Sequence, residues 1–593
     1  MSPRTVPDPH ANPLSVGALL GEPLRGILHP AELAIEKIFA LDRLRDLYRG
    51  SCTPEDLLAR LQVQYELPEE ELSNIPQSGP LLFVSNHPFG LLDAVILSVA
   101  LPKVRPDMRI VTSTLLRNIP MLQGRCFFVD NFAKTEAATQ NTTAVRDCVR
   151  WMRRGGALLT FPAGEVAHFH VKDGVIADPP WNPTAARLAQ IAGAAAVPVF
   201  FPGSNSPAFQ VAGVIHPMLR TASLPREFLN KRGQTIKLRI GRPVTAETLR
   251  RFEDPADASE YLRCRTYQLE NAKPSSSVAW RPKRNVAVAS LTAQSELIRE
   301  IADLPSDRLL SESGEFAVFV ATQTDSPHVV REIGRLREIA FRGVGEGSGR
   351  DLDLDRFDTY YDHLALWNRE TNEIAGGYRL APAPDVLARH GLSGLYTSTL
   401  FRYSKQLLDR IGPSVELGRS FIRPEYQRQY APLLLLWKAI GSYIARRPEC
   451  ATLFGAVSIS NDYHPVSRHL LVKFLEAHRA EQLAGMVAPR CAYRPDEKLF
   501  RRTGTLRTAP AELSDLDALI ADLERDGKGV PILLRQYLKT GGRLLSFNVD
   551  RNFSNALDAL IMVDLRTAPA PLLDRYLGKA RAAAFREWHA AHA

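Results

Sequence analysis

The sequence predicts an α/β protein in two parts, an N-terminal α/β domain with a helical lead-in and a C-terminal α+β domain. Three observations carry this. From residue 80, short apolar runs ending in Asn, Ser or Gly alternate with helical stretches, as buried parallel strands do. After residue 286, strand-like runs surround one central apolar helix, as in an α+β sheet. Between the two lies NAKPSSSVAWRPKRN, where Pro, Ser and Lys/Arg replace apolar periodicity. The expected division is a helical extension over 1–70, an α/β domain over 71–270, a linker over 271–285 and an α+β domain over 286–593.

Each element follows from its own residues. AELAIEKIFALDRLRDLYRG repeats apolar positions three and four apart, which predicts a helix. LLFVSN, MRIVTST, CFFVDN, GALLTFPAG and AVPVFFPGSN are the strands of the first domain, with helices TTAVRDCVRWMRRG and TAARLAQIAG between them. In the second domain LTAQSELIREIADL and HVVREIGRLREIAFRG read as helices. EFAVFVAT, HLALWN, EIAGGYRLAP, SVELGRSFI and TLFGAVSIS read as strands around the helix APLLLLWKAIGSYIARR. Leu433–Trp437 is expected to pack in a core. The tail GVPILLRQYLKTGGRLLSFNVDRNF is expected to complete the second domain's pocket.

Composition excludes several classes. With 593 residues, 45% of them apolar, the chain is neither disordered nor collagenous. No run approaches the roughly 18–20 apolar residues of a membrane-spanning helix, and the first residues lack the apolar core of a signal peptide. A soluble or peripheral protein is expected. The net charge of +9 is concentrated in residues 101–250, which carry 20 Lys/Arg against 9 Asp/Glu. Arg153, Arg154, Lys231, Arg232, Lys237 and Arg239 form part of this stretch, which fits anionic headgroups or an acidic protein. Six scattered cysteines with no CxxC imply reduced thiols and no structural zinc.

Two constellations carry chemistry. LLFVSN runs into His87-Pro88-Phe89-Gly90-Leu91-Leu92-Asp93. A carboxylate one helical turn beyond a histidine can accept its Nδ1 proton, leaving Nε2 to take a proton from a hydroxyl. The next strand turn but one is Phe161-Pro162-Ala163-Gly164-Glu165. With both blocks present, roughly residues 70–250 resemble the glycerolipid acyltransferase family, with its HxxxxD and FPEGTR-like blocks. The resemblance makes His87 the general base, Asp93 its partner, and Gly164 and Glu165 part of the acceptor-binding turn. Arg117 to Asn131 would be the intermediate block. Here the His-to-Asp gap is five residues instead of four, and FPAGEV lacks the arginine that holds an acceptor phosphate. Both departures resemble the hemolysin-like branch, which includes O-acyltransferases of amino-acid lipids. A thioester donor needs only a base and oxyanion stabilisation, so neither metal nor cofactor is expected.

In the second half, Arg337 and Phe341 stand one helical turn apart. Asp353, Asp355 and Asp358 follow, then Arg379, then Glu416 and Arg419 in a strand. Singly these are a surface arginine, an acidic loop and a strand salt bridge. Together, over roughly residues 315–480, they resemble the homoserine-lactone-synthase and ornithine N-acyltransferase branch of the GNAT superfamily. That resemblance makes Glu416 a base for the amine. It has the three aspartates and three arginines shape the acceptor pocket. The turn RPEYQRQYAP lacks the glycine-rich run that binds coenzyme A, which favours acyl carrier protein as donor.

The whole chain resembles the bifunctional ornithine lipid synthases. The implied second domain attaches a 3-hydroxyacyl group to the α-amino group of ornithine, and the first esterifies its 3-hydroxyl. The implied partners are acyl carrier protein, ornithine or a similar amino acid, and the inner face of the bacterial cytoplasmic membrane. No nucleic acid is expected. A glutamine, lysine or glycine headgroup is the alternative within this class. An inactive membrane-binding haemolysin-like protein is the alternative outside it.

Overall fold

Two sets of apolar runs form two large sheets, one of six strands and one of eight. The computed structural model describes residues 52–114, 122–129, 137–271, 286–503, 510–551 and 553–592, with positions 43, 47 and 117. Most of the helical lead-in, the linker after residue 271 and positions 118–121, 130 and 131 of the Arg117–Asn131 block lie outside the described residues. The chain divides into two units, Met1–Pro274 with Asp496–Pro510, and Ser275–Pro495 with Ala511–Ala593.

In the first unit the strands of the main sheet are β1 (Leu81–Ser85), β2 (Arg109–Ser113), β3 (Cys126–Val129), β4 (Ala157–Thr160), β5 (Ala195–Phe200) and β6 (Arg239–Ile240). They lie in the order β6-β5-β1-β4-β2-β3. Neighbours are parallel except β6, which runs antiparallel to β5. All five residues of β1 are buried, because an interior parallel strand is covered on both faces. Leu81, Phe83, Leu159 and Val197 share a core with Leu92 and Ile96 of helix α1 (Leu91–Ala100). The chain leaves β1 toward β2 and β3, returns through β4, and finally places β5 on the other side of β1. A reversal of this kind opens a crevice at the carboxyl ends of the strands.

Three of the unit's other helices bear on the site: α2 (Pro207–Ile215), α3 (Pro217–Asn230) and α4 (Pro255–Tyr267). The segment Asp496–Pro510 belongs to the same unit. Its helix Glu497–Thr503 is held at the end of α4: Arg263 Nη2 donates to the Arg502 carbonyl (3.1 Å) and Arg502 pairs with Glu270 (2.6 Å).

The main sheet of the second unit has eight strands: β7 (Leu309–Ser313), β8 (Phe316–Ala321), β9 (Asp362–Asn368), β10 (Glu373–Pro382), β11 (Ser414–Ile422), β12 (Thr452–Ile459), β13 (Arg543–Asp550) and β14 (Ala556–Asp564). Their order is β7-β8-β9-β10-β11-β12-β14-β13, and only β11 and β12 are parallel. Helix α5 (Pro327–Gly343) lays Val329, Val330, Ile333 and Leu336 against Ala365 and Trp367. Helix α6 (Tyr430–Ala445) connects β11 to β12 and buries Leu435, Leu436 and Trp437. The α/β and α+β classes read from sequence are both present. The two tail strands β13 and β14 were not among the expected strands.

Candidate active sites

In the first unit, β1 delivers His87 to the crevice. The Asn86 side chain accepts from the Phe201 N–H and donates to its carbonyl, both at 2.8 Å, clipping the ends of β1 and β5 together. Gly90 turns the chain into α1 with φ +72°. An added Cβ there would meet Val166 at 3.2 Å in a conformation that L side chains rarely adopt. Asp93, in the first turn of α1, then lies 3.0 Å from His87 Nδ1, and the same oxygen accepts the Phe89 N–H (2.9 Å). That oxygen is an acceptor in both bonds, so the Nδ1 proton stays on the ring and Nε2 carries the free lone pair. The five-residue gap thus still joins His87 to Asp93. Burial pushes the Asp93 carboxyl above its ordinary value, and the His87 bond offsets part of that.

Two residues that support His87 were not identified from sequence. Phe161 stacks on the imidazole at 4.1 Å between centroids. Asp178 accepts the His87 N–H (3.1 Å) and the Trp181 indole N–H (2.9 Å). Phe161 opens the FPAGE run and could have been flagged by its position. Asp178 lies in DPPW, which carries no chemical signal. Gly164 forms a turn with φ +68°, its N–H donating to the Phe161 carbonyl (3.0 Å). Glu165 points to Arg220 of α3 (2.5 Å). Lys231 is not part of a solvated basic face: it is buried, with its ammonium 4.5 Å from the Phe89 ring, and desolvation lowers its pKa.

In the second unit the predicted arginines and aspartates converge. Arg337 projects from α5 and is fully buried. It donates to Asp353 (3.0 Å) and to both oxygens of Asp358 (2.9 and 3.2 Å). Arg379 donates to Asp355 (2.7 Å) and Asp358 (3.0 Å). Burial alone would raise Asp358, but Arg337 and Arg379 overcome it and hold the carboxyl well below its usual range. Arg419 lies 3.6 Å from Asp353 and 3.9 Å from Asp355. It is boxed by the rings of Phe553 (4.4 Å), Tyr396 (5.1 Å) and Phe341 (5.9 Å).

Glu416 and Arg419 are three residues apart, so a regular strand would send them to opposite faces. The register of β11 against β10 shifts between Gly377 and Arg379, and Arg419 has φ +53°. This bulge re-aims Arg419 toward the aspartates. Beside it, β11 and β12 pair only from Ser414–Glu416 against Thr452–Phe454. Each is held beyond that point by its outer neighbour, so the sheet splays at its centre. Gly455 sits at the fork, where a Cβ would lie 2.2 Å from the Leu417 carbonyl oxygen.

Glu416, the base that the resemblance implies, is enclosed by donors. It is buried, and accepts from the Tyr361 hydroxyl, the Tyr396 N–H (3.0 Å), the Thr397 N–H (2.7 Å) and the Thr397 hydroxyl. Four donors occupy both oxygens, which fixes the turn at Tyr396 and Thr397 and leaves no lone pair facing open space. Tyr396 in turn lines a cavity of about 700 Å³, with Asp355, Arg419, Asn548, Asp550 and Phe553. The tail therefore supplies one wall of the pocket.

That wall brings in carboxylates absent from the sequence expectations. Register places Asn548 opposite Asp558, and Asp558 opposite Ser458, so their side chains share one sheet face with Asp550. Glu346, just past α5, accepts from the Ser458 hydroxyl (3.0 Å), and burial pushes its pKa up to about 6. Burial, with Asp550 and Glu346 nearby, raises Asp558 well above its ordinary value. Its Oδ2 has no hydrogen-bond partner among the described residues. The Arg419 guanidinium opposes both shifts. Among the described residues no three His, Cys, Asp or Glu side chains are grouped as a metal site. No helix among them is long and apolar enough to cross a membrane.

Comparison with known proteins matches both halves. Residues 59–276 match a family described as Acyltransferase, and residues 336–438 an Acetyltransferase (GNAT) domain. A glycine N(alpha)-acyltransferase of Bacteroides thetaiotaomicron is 33% identical over 42% of this chain and 78% of its own length. A lyso-glycine lipid O-acyltransferase of Phocaeicola vulgatus is 28% identical over 33% of this chain and 71% of its own. An L-ornithine N(alpha)-acyltransferase of Rhodobacter capsulatus is 27% identical over 40% and 85%.

Proposed function

The chain belongs to the family of N(alpha)-acyltransferases with a GNAT domain, here joined to a second acyltransferase domain, and we propose that the two build a diacylated ornithine lipid. The second unit acts first. The α-amine of ornithine attacks the thioester of a 3-hydroxyacyl group carried by acyl carrier protein. An amide forms and the carrier thiol leaves. The fork between β11 and β12 receives the thioester arm, and the first turn of α6, which has no side-chain cap, suits the carrier's phosphate. Glu416 acts as a positioning residue that fixes Tyr396. The amine's proton passes to Glu346 or Asp558, because carboxyls raised toward neutrality are effective bases.

The first unit then acts on the 3-hydroxyl. His87 Nε2 takes the hydroxyl proton, Asp93 stabilises the imidazolium, and the second acyl chain transfers from its thioester to form the ester. This takes place at the inner face of the bacterial cytoplasmic membrane.

The observation that favours ornithine is Asp550 on the cavity wall, with the buried carboxyls of Glu346 and Asp558 close to it. Burial holds Glu346 and Asp558 toward their neutral forms, and a second ammonium on the acceptor side chain draws them to the charged form more strongly than a lone α-ammonium does. A second reading, glycine as the acceptor, is favoured by the 33% identity to a glycine N(alpha)-acyltransferase. Purified enzyme with 3-hydroxyacyl carrier protein and equimolar ornithine, lysine, glycine and glutamine discriminates them by product mass. Ornithine product is expected from the native chain, with Asp558→Asn shifting it toward neutral amino acids. Glycine product from the native chain would overturn the ornithine assignment.

A further inference from the structure

The first unit carries an aliphatic corner that the two reactions do not use. Helix α2 turns inward with Phe209 and Gln210 and outward with Val211, Val214 and Ile215. Leu219 of α3 and Val171, at the turn of the hairpin His168–His170 with Val175–Ala177, project as well. These five side chains are between 40% and 69% exposed. Aliphatic residues in this number, gathered on adjoining elements, mark an interaction surface rather than the scattered exposure of an ordinary surface.

The elements bearing them are tied to one another and to His87. Gln210 accepts the Phe169 N–H of the hairpin (2.8 Å). At Gly213 an added Cβ would meet Arg220 at 3.1 Å, so α2 and α3 close tightly there. Next to the hairpin, the Ala167 N–H donates to the His87 carbonyl (2.9 Å). On α3, Leu224 would lie 3.4 Å from a Cβ on Gly90, in the loop between His87 and Asp93. The corner is therefore built on walls of the His87 site.

Its charge balance is positive. No Asp or Glu occurs from residue 205 to residue 226, while Arg226 and Lys172 are exposed at its edges. Glu165 is neutralised by Arg220, and Asp173 lies 3.6 Å from Arg501. Aliphatic side chains in the middle with cations at the rim are the pattern of a segment that sits in the interface of an anionic bilayer. An acidic carrier protein would be met by a denser cationic surface and fewer aliphatic residues.

We propose that the corner formed by α2, the start of α3 and the hairpin turn is the face on which the first unit docks to an anionic membrane. The docking presents the His87 loop to acceptor lipid. This rests on the reading that the acceptor of that site is a membrane lipid.

The test is sedimentation of the full chain with phosphatidylglycerol-containing vesicles and with phosphatidylcholine vesicles. The native chain, Val214→Asp/Ile215→Asp and Arg226→Glu are compared, with O-acylation of lyso-lipid in detergent micelles measured in parallel. The native chain is expected to bind the anionic vesicles. The aspartate pair is expected to lower partitioning by about tenfold, and Arg226→Glu to lower it only on anionic vesicles. Mass in solution and micellar activity are expected to change by less than about twofold. Unchanged vesicle binding by the aspartate pair overturns the proposal. So does a halved mass, which makes the corner a contact between copies, or a selective loss of carrier-protein binding. If the native chain binds vesicles through this corner but acylates no lyso-lipid in micelles, the docking face stands and the assigned reaction falls.

Discussion

Replacing Arg337 with Met tests whether the buried arginine–aspartate group is held by charge. Arg337 is completely buried and donates to two carboxylates. Without it, Asp353 keeps only Arg419 at 3.6 Å, and Asp358 keeps Arg379 at 3.0 Å, with His363 at 3.6 Å. Stranding a buried charge costs about 3–5 kcal/mol. The exposed pair Arg299–Glu296 bounds the other extreme, and Arg299→Met is expected to cost less than about 1 kcal/mol. At about 2–4 °C per kcal/mol, Arg337→Met lowers the second unit's thermal midpoint by about 6–20 °C near pH 7.5, read by circular dichroism. The pH dependence identifies the cause. A carboxyl depressed in the folded state, as Asp358 is, adds stability above its unfolded value of about 3.9, which is lost as pH falls through the folded value. The deficit of Arg337→Met should therefore shrink as pH falls from 7.5 toward 4.5 and the stranded carboxylates protonate. Arg337→Lys restores the charge without the forked geometry and recovers only part of the loss. A loss below about 1 kcal/mol, or one that is flat with pH, would refute the charge argument.

Three further outcomes follow from the geometry. Asp93→Asn releases the Nδ1 proton from its acceptor and should cut O-acylation of added lyso-lipid by about 10²–10⁴-fold, leaving N-acylation unchanged. Gly455→Ala drives a methyl against the Leu417 carbonyl at the fork; N-acylation should fall sharply while O-acylation persists, both read by thin-layer chromatography of labelled product. Glu346 has a raised folded pKa of about 6 against an ordinary 4.5, so its stabilising contribution is complete below 4.5 and disappears as pH passes 6. Glu346→Gln should therefore raise the unfolding midpoint more at pH 8 than at pH 4.5; an equal rise at both would contradict the buried-carboxylate account.

What was legible from residues alone depended on local pattern. LLFVSN announced β1 because a strand buried on both faces must be apolar throughout. His87 and Asp93, or the three arginines and three aspartates, are residue types that draw attention at short spacings. Features created by register between distant segments were not legible. Asp558 meets Ser458 only because β12 and β14 pair, and nothing near residue 558 signals a pocket. Asp178 supports His87 across 91 positions. The bulge at Arg419 exists only against β10. Glu416 drew the role of base because ExxR names a carboxylate without counting the donors that fold around it.

The segment Asp496–Pro510 has a consequence for how this protein can be divided. The polypeptide passes from the first unit to the second near residue 275, returns at residue 496, and leaves again at residue 511. A gene cut within the linker would therefore yield an N-terminal product lacking the helix that caps α4, with Arg263 and Glu270 deprived of Arg502. The complementary product would carry that helix as a stray loop. Separate expression of the two activities calls for a graft: residues 496–510 joined to the end of the first half, and a short bridge closing the gap left in the second.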